Sequence, residues 1–420
     1  MNPSGQEKPR RRSPKTGALQ GSRRDYVATA IISVMCAGAV ASVWATAPAR
    51  HSHLTPASSQ ADSAQDSYVI PRALTTLPSE ATPVKTLPAD PWSPRPIIAE
   101  GLVISYKDRT VTAIDPDNGS TVWSYSRDVP LCSLAQAWGE VVMTYKTGRG
   151  CGDVIAVSAS SGQYSATRSA SASENVSPIM SNDRVGIVSD QRVELWRSDL
   201  VRTVEYGDVP IKQEAHLQPH EDCSITSALT RKDLLAVVDS CEGSSWLRLQ
   251  KTTPEDSRQP EITQDIDLGN TTAHLVAVGQ TGAAVAVNSP TPAIISFDAH
   301  GHEVARHEIP QAPEITNTAP LVADLTHYIT WYHNHTLYLM RPDTLAVERE
   351  LPDAVGTGIS LGAHVAYPTA EGWTEIEPMS GQVIRTVPVD RGGYTGFVSM
   401  GIAELHIVEK RGDQVVIFRQ

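Results

Sequence analysis

Residues 102–127 read LVISYKDRTVTAIDPDNGSTVWSYSR. Three short runs in this stretch, LVISYK, TVTAID and TVWSYS, alternate apolar with polar residues and are rich in β-branched and aromatic side chains, the pattern of half-buried strands. Between the last two lies Asp115-Pro-Asp-Asn118-Gly119, a turn in which Asp and Asn bond nearby backbone and Gly tolerates positive φ. The same grammar recurs along the chain: EVVMTY and DVIAVS, AAVAVN and AIISFD, HYITWY and TLYLMR, and finally QVVIFR. Turns recur with it, at Ser158–Gly162, Asp298–Gly301, Pro342-Asp343-Thr344 and Pro378–Gly381. No stretch beyond residue 47 sustains a helical period with caps, so this part of the chain is expected to be all-β.

A proline follows the later strand of many units, at 130, 210, 310, 352 and 388. Proline lacks the donor that a central strand needs, which places each marked strand at the outer edge of its unit. The intervals predict seven complete units closing near 130, 170, 210, 267, 310, 352 and 388, about 43 residues apiece, the size of a four-stranded propeller blade. After Pro388 only three strands remain, YTGFVSMGI, AELHIVEK and QVVIFR. Ahead of the first unit stands Pro83–Pro88, a closing strand with nothing before it. Pairing that strand with the C-terminal three over residues 83–420 makes an eight-bladed β-propeller, with seven blades plus an odd element as the alternative. Closure also leaves few edges open to aggregation.

Charge is distributed unevenly. The chain of 420 residues carries 35 Lys+Arg against 47 Asp+Glu, net -12, which disfavours nucleic acid as a partner. Residues 1–25 nevertheless hold seven Lys or Arg against Glu7 and Asp25 and form a basic tail. The next stretch, Tyr26 to Ala47, has no Asp, Glu, Lys, Arg or His. As a helix it spans about 33 Å at about 1.5 Å per residue, enough for a hydrocarbon core of about 30 Å. The expectation is a single transmembrane helix over 26–47, a cytoplasmic N-terminus and an extracytoplasmic remainder. A cleaved signal peptide ending at Ala45-Thr46-Ala47 is the competing reading, disfavoured because Pro48 would follow the cut. Cys36 lacks the small residue that precedes a lipobox cysteine and reads as an apolar residue of the helix. Residues 48–82, including ARHSHLTPASSQADSAQDS, have few large apolar groups and are expected to form a disordered stalk. His51 and His53 in that stalk lack the further ligands a structural metal site needs.

The segment Ala113-Ile-Asp115-Pro-Asp-Asn-Gly119-Ser-Thr-Val-Trp123 resembles the A-x-D-x-x-x-G-x-x-x-W repeat of the pyrroloquinoline-quinone-like β-propellers, the quinoprotein alcohol dehydrogenase-like family, which are commonly eight-bladed. The match covers one unit; echoes at 156–164 and 376–383 lack the Trp. The resemblance implies that Asp115, Gly119 and Trp123 serve blade docking. It also raises the family's dehydrogenase activity, but the vicinal Cys-Cys pair of those enzymes is absent and no catalytic or calcium-binding residue maps onto this sequence. The cofactor-free, non-catalytic, membrane-anchored branch is therefore the expectation: no enzyme, no cofactor, no metal.

Cys132 and Cys151 are 19 apart, Cys223 and Cys241 are 18 apart, and each pair brackets a strand, a turn and a returning strand. That geometry predicts disulfides Cys132–Cys151 and Cys223–Cys241, fitting an oxidising compartment. A metal set of His216, His220 and Cys223 is the alternative use of the latter pair's first cysteine. His333 and His335 could share a strand face, but Asn334-His335 reads as a hairpin turn. Asp115–Gly119 lacks the following Glu of a calcium loop. Neither a G-x-S-x-G elbow nor a Gly-rich phosphate loop occurs.

Rigid blades carrying variable loops are a binding layout. The long charged segments 205–223 and 251–265 are the candidate contact surface. Function is accordingly expected to be that of an exported, membrane-anchored protein-interaction scaffold in the bacterial cell envelope, with an unidentified envelope protein as partner. The alternatives are a small-molecule-binding or sensory propeller using the central channel, and a degenerate quinoprotein enzyme.

Overall fold

The computed structural model describes residues 22–58, 74–212, 214–313 and 319–419. The basic tail up to residue 21 lies outside them. One helix, α1 (Arg23–Ala45), is long and apolar enough to cross a membrane. It begins three residues before the expected span because Ser22 caps it: the Ser22 side chain accepts from Asp25 N, and Asp25 returns the bond to Ser22 N at 2.7 Å. Thr46 ends it, and a single 3-10 turn follows at Pro48–His51.

Beyond it the described residues form an eight-bladed β-propeller of eight sheets, antiparallel except for the short strand Gly356–Thr357, which pairs parallel with Val398–Ala403 of blade eight. In chain order the blades span 98–127, 131–169, 177–207, 224–269, 273–308, 322–351 and 359–388, with 398–419 as the eighth. Each runs from an innermost to an outermost strand. The eighth takes its outermost strand from the other end of the propeller: Thr82–Pro88 pairs antiparallel with Gln414–Arg419, Thr82 opposite Arg419 and Pro88 opposite Gln414. Closure is fastened by a buried ion pair in which Lys410 Nζ lies 3.0 Å from Asp90 Oδ2, on the connection that leads into blade one.

The core is distributed between neighbouring blades. Trp123 and Tyr125 of blade one pack with Leu134, Met143 and Tyr145 of blade two, and equivalent clusters fill the later interfaces. Alternation along each strand puts one set of side chains into each of the two flanking clusters, which is why inner strands such as Ala273–Val278 are buried throughout.

The expected disordered stalk over 48–82 needs correction in its described parts. Ser52–Thr55 is a strand added outside Thr121–Arg127 of blade one, with Leu54 packed against the core there. Leu74 and Leu77 are buried in the cluster of blades seven and eight, and Thr76 Oγ1 and Leu77 N donate to Glu375 Oε2 at 2.9 and 3.0 Å. The few large apolar side chains of this polar stretch are what hold it. Contrary to the expectation from Pro130, the proline-marked strand of blade one is not outermost, because the added strand covers it.

Candidate functional site

Blade docking shows how local chemistry sets the frame. Asp115 shapes its turn, accepting from Asp117 N at 2.8 Å and Asn118 Nδ2 at 2.7 Å, while Gly119 sits at φ +69°. The Gly119 carbonyl accepts from Lys85, on the outer strand of blade eight. Trp123 reaches the other way: its fully buried indole N–H donates to Ala159 O at 2.6 Å, in the corresponding turn of blade two. Gly162 of that turn leaves the room, since a Cβ there would lie 2.5 Å from Trp123 Cγ.

The same contact recurs without tryptophan. Arg168 donates to Leu200 O at 3.4 Å, Arg349 to Pro378 O at 2.6 Å and Arg385 to Leu77 O at 2.7 Å. Each donor stands on an outer strand, and each acceptor belongs to the turn, or for Leu77 the incoming segment, ahead of the next blade's outer strand. The requirement is a long side chain ending in an N–H donor, which Trp, Arg and Lys all meet. Motif reading therefore finds Trp123 and misses Lys85, Arg168, Arg349 and Arg385.

Two disulfides stiffen blades two and four. Cys132–Cys151 and Cys223–Cys241 have Cα separations of 5.9 and 4.8 Å. The second bond removes Cys223 from the metal set with His216 and His220, because a disulfide sulfur is no thiolate ligand. Cys241 Sγ also lies 3.3 Å from Arg248 Nη2, and Arg248 is paired with the buried Asp239 at 2.8 Å and with Asp265. His333 stacks on Trp331 at 4.9 Å and its Nε2 is 3.0 Å from Gln311 O, while Asn334 and His335 form the turn, both at positive φ. His53 lies on the strand added to blade one.

The two charged segments come together. Trimmed of strand residues they are the connection 208–223 between blades three and four and the loop 252–261 within blade four. Arg258 Nη1 donates to Glu214 Oε1 at 2.8 Å, and Gln218 Nε2 donates to Arg258 O at 3.3 Å. Gln218 also ties this assembly to blade three, donating to Glu205 O at 3.1 Å and accepting from Gly207 N at 3.2 Å. On the blade-four side His220 Nε2 is 3.8 Å from Asp265 Oδ2 and packs near the Tyr206 ring. Burial and the Arg248 charge lower the His220 pKa, opposed by Asp265. Lys212 pairs with Glu221, and the Asp256 carboxyl, held by Arg258, is brought down to about 2. The Cys223–Cys241 bond fastens the end of the connection to the scaffold. The result is one surface at the outer rim between blades three and four, with a shallow cleft bounded by Arg202, Val209, Lys212 and Leu217 and with Ile211 standing 74% exposed beside it. Gln218 carries the junction and is another residue that motif reading passes over.

No protein-family model matches the chain, and no curated protein matches it. Among solved structures it is similar to BamB from Moraxella catarrhalis, at 14% identity and a TM-score of 0.49, over 81% of this chain and 100% of that one. It is also similar to KlHsv2 with loop 6CD replaced by a Gly-Ser linker, at 9% identity and a TM-score of 0.41, over 68% of this chain and 90% of that one. Likeness at this level carries no inference about partner, ligand or activity.

Proposed function

We propose that this chain is an exported, membrane-anchored β-propeller that acts as a protein-interaction scaffold in the bacterial cell envelope, and that the rim surface built by 208–223 and 252–261 is where it meets a protein partner. The observation that carries this reading is the interlocking of the two long charged loops into one braced surface, with Ile211 left exposed on it. A loop free to fray loses entropy on binding; a surface already held by Gln218, Arg258 and a disulfide has less to lose. Export with the N-terminus in the cytoplasm is supported by the apolar helix behind a basic flank and by two disulfides. The motif at 113–123 supports a pyrroloquinoline-quinone-like propeller, and the lack of a vicinal Cys-Cys pair supports, in this reading, a cofactor-free member with no catalytic residue assigned.

Native mass spectrometry of the full chain gently extracted from its own membrane tests this. A stoichiometric polypeptide retained by the wild type and lost from an Ile211→Asp, Arg258→Glu variant is expected. A chain that carries no polypeptide, or keeps the same one after both changes, contradicts the reading.

A further inference from the structure

The central channel holds chemistry that the rim does not use. A cavity of about 530 Å³ opens where the inner strands of blades two to six end, lined in part by Gln136, Asp183, Arg231, Lys232 and Asp324. Its size is that of a small-molecule site. Arg95, on the connection that enters blade one, also lines it, half-buried and within reach of the Asp324 charge.

Charge decides what would fit. Arg231 Nη2 is 3.2 Å from Asp324 Oδ1, but Arg231 Nη1 is buried with no hydrogen-bond partner among the described residues. The Arg95 guanidinium makes no hydrogen bond among them either; Arg95 bonds Ser93 through its backbone alone. Burial lowers the Arg95 pKa and Asp324 raises it, yet a guanidinium keeps its proton in a protein. The lining thus carries three cations, Arg95, Arg231 and Lys232, against two carboxylates, Asp183 and Asp324, and leaves one positive charge over. A locally positive lining concentrates anions beside it even though the chain as a whole, at net -12, repels them at long range. Planar guanidinium forks match carboxylate and phosphate oxygens in pairs of bonds.

We propose that the channel binds a small molecule bearing an oxyanion, carboxylate or phosphate, which is held between Arg95 and Arg231 and competes with Asp324 for them. This goes beyond the scaffold reading, since the residues lining this cavity are not those bounding the rim cleft. The competition gives the proposal a signature. Removing a guanidinium weakens the anion, while removing the Asp324 carboxylate strengthens it.

Isothermal titration of the full chain in detergent with citrate and with pyrophosphate, at low ionic strength, tests both sources of the oxyanion. One of the two is expected to bind saturably at one per chain. Arg231→Gln and Arg95→Gln should each weaken it tenfold or more, Asp324→Asn should tighten it three- to tenfold, and Arg306→Gln, on the outer strand of blade five, should leave it unchanged. Far-UV circular dichroism checks folding, and if Arg231→Gln does not fold, Arg95→Gln and Asp324→Asn decide. Absence of binding by both anions, binding indifferent to the arginines, or weakening by Asp324→Asn overturns the proposal.

Discussion

Replacing Gly162 with alanine should destabilise the propeller, and the damage should depend on Trp123. The new Cβ would lie 2.5 Å from Trp123 Cγ and 2.6 Å from its Cβ, at a position held at φ +69°. Left-handed backbone costs an alanine about 1 kcal/mol, and overpacking a core contact costs about 1 to 3 kcal/mol. Gly162→Ala alone should therefore lose about 2 to 4 kcal/mol. Trp123→Ala should lose about 3 to 5 kcal/mol, because it empties a fully buried site and strips Ala159 O of its donor. In the double variant the overlap with the indole is gone, while the contact with the Cβ at position 123, which the emptied site leaves room to relax, and the backbone cost of Gly162→Ala remain. The two losses should fall short of additivity by about 1 to 2 kcal/mol, the part of the overlap that the indole causes. Urea unfolding of the full chain in detergent, followed by far-UV circular dichroism, measures all four corners of the cycle. Additivity within about 0.5 kcal/mol would refute the account of blade docking.

Three further outcomes are expected. Peptide mapping without reductant should recover Cys132 linked to Cys151 and Cys223 linked to Cys241, and opening either by Cys→Ser should cost up to about 3 kcal/mol of stability; free thiols at these positions in the mature protein would contradict this. Lys410→Met should cost about 3 to 5 kcal/mol by leaving the buried Asp90 carboxylate without its cation, and adding Asp90→Asn should recover part of the loss, both read from unfolding midpoints. His274 is buried with no partner for Nδ1 among the described residues, and burial pushes its pKa down to about 4. The unfolded chain takes up that proton near pH 6.5 and the folded chain only near 4, so stability should fall as pH drops through this window, by on the order of 3 kcal/mol. His274→Leu should flatten the slope, and an unchanged slope would show that other groups set it.

The propeller is legible in the sequence because its signals are local. Strand alternation, turn chemistry and the closing prolines each act within a few residues, and a repeat near 43 residues multiplies them. What escapes is long-range or chemically disguised. Ser52–Thr55 pairs with a strand some seventy residues away and has one large apolar residue, Leu54, to announce it. The docking position is occupied by Trp123 in one blade and by Arg168 or Arg349 in others, so a pattern keyed to residue type loses it although the donor geometry persists. The two charged loops are recognisable singly from their length and composition. Their union rests on Gln218 and Arg258, forty residues apart, and on side-chain bonds that no spacing rule encodes.

The scaffold reading meets its most direct test in site-specific photo-crosslinking in the native envelope. A photoreactive side chain at Ile211, on the rim between blades three and four, should capture one discrete polypeptide, and the same group at Val304, exposed on the outer strand of blade five, should not. Equal capture at both positions, or none at Ile211 while the protein remains folded and in its membrane, would contradict the account.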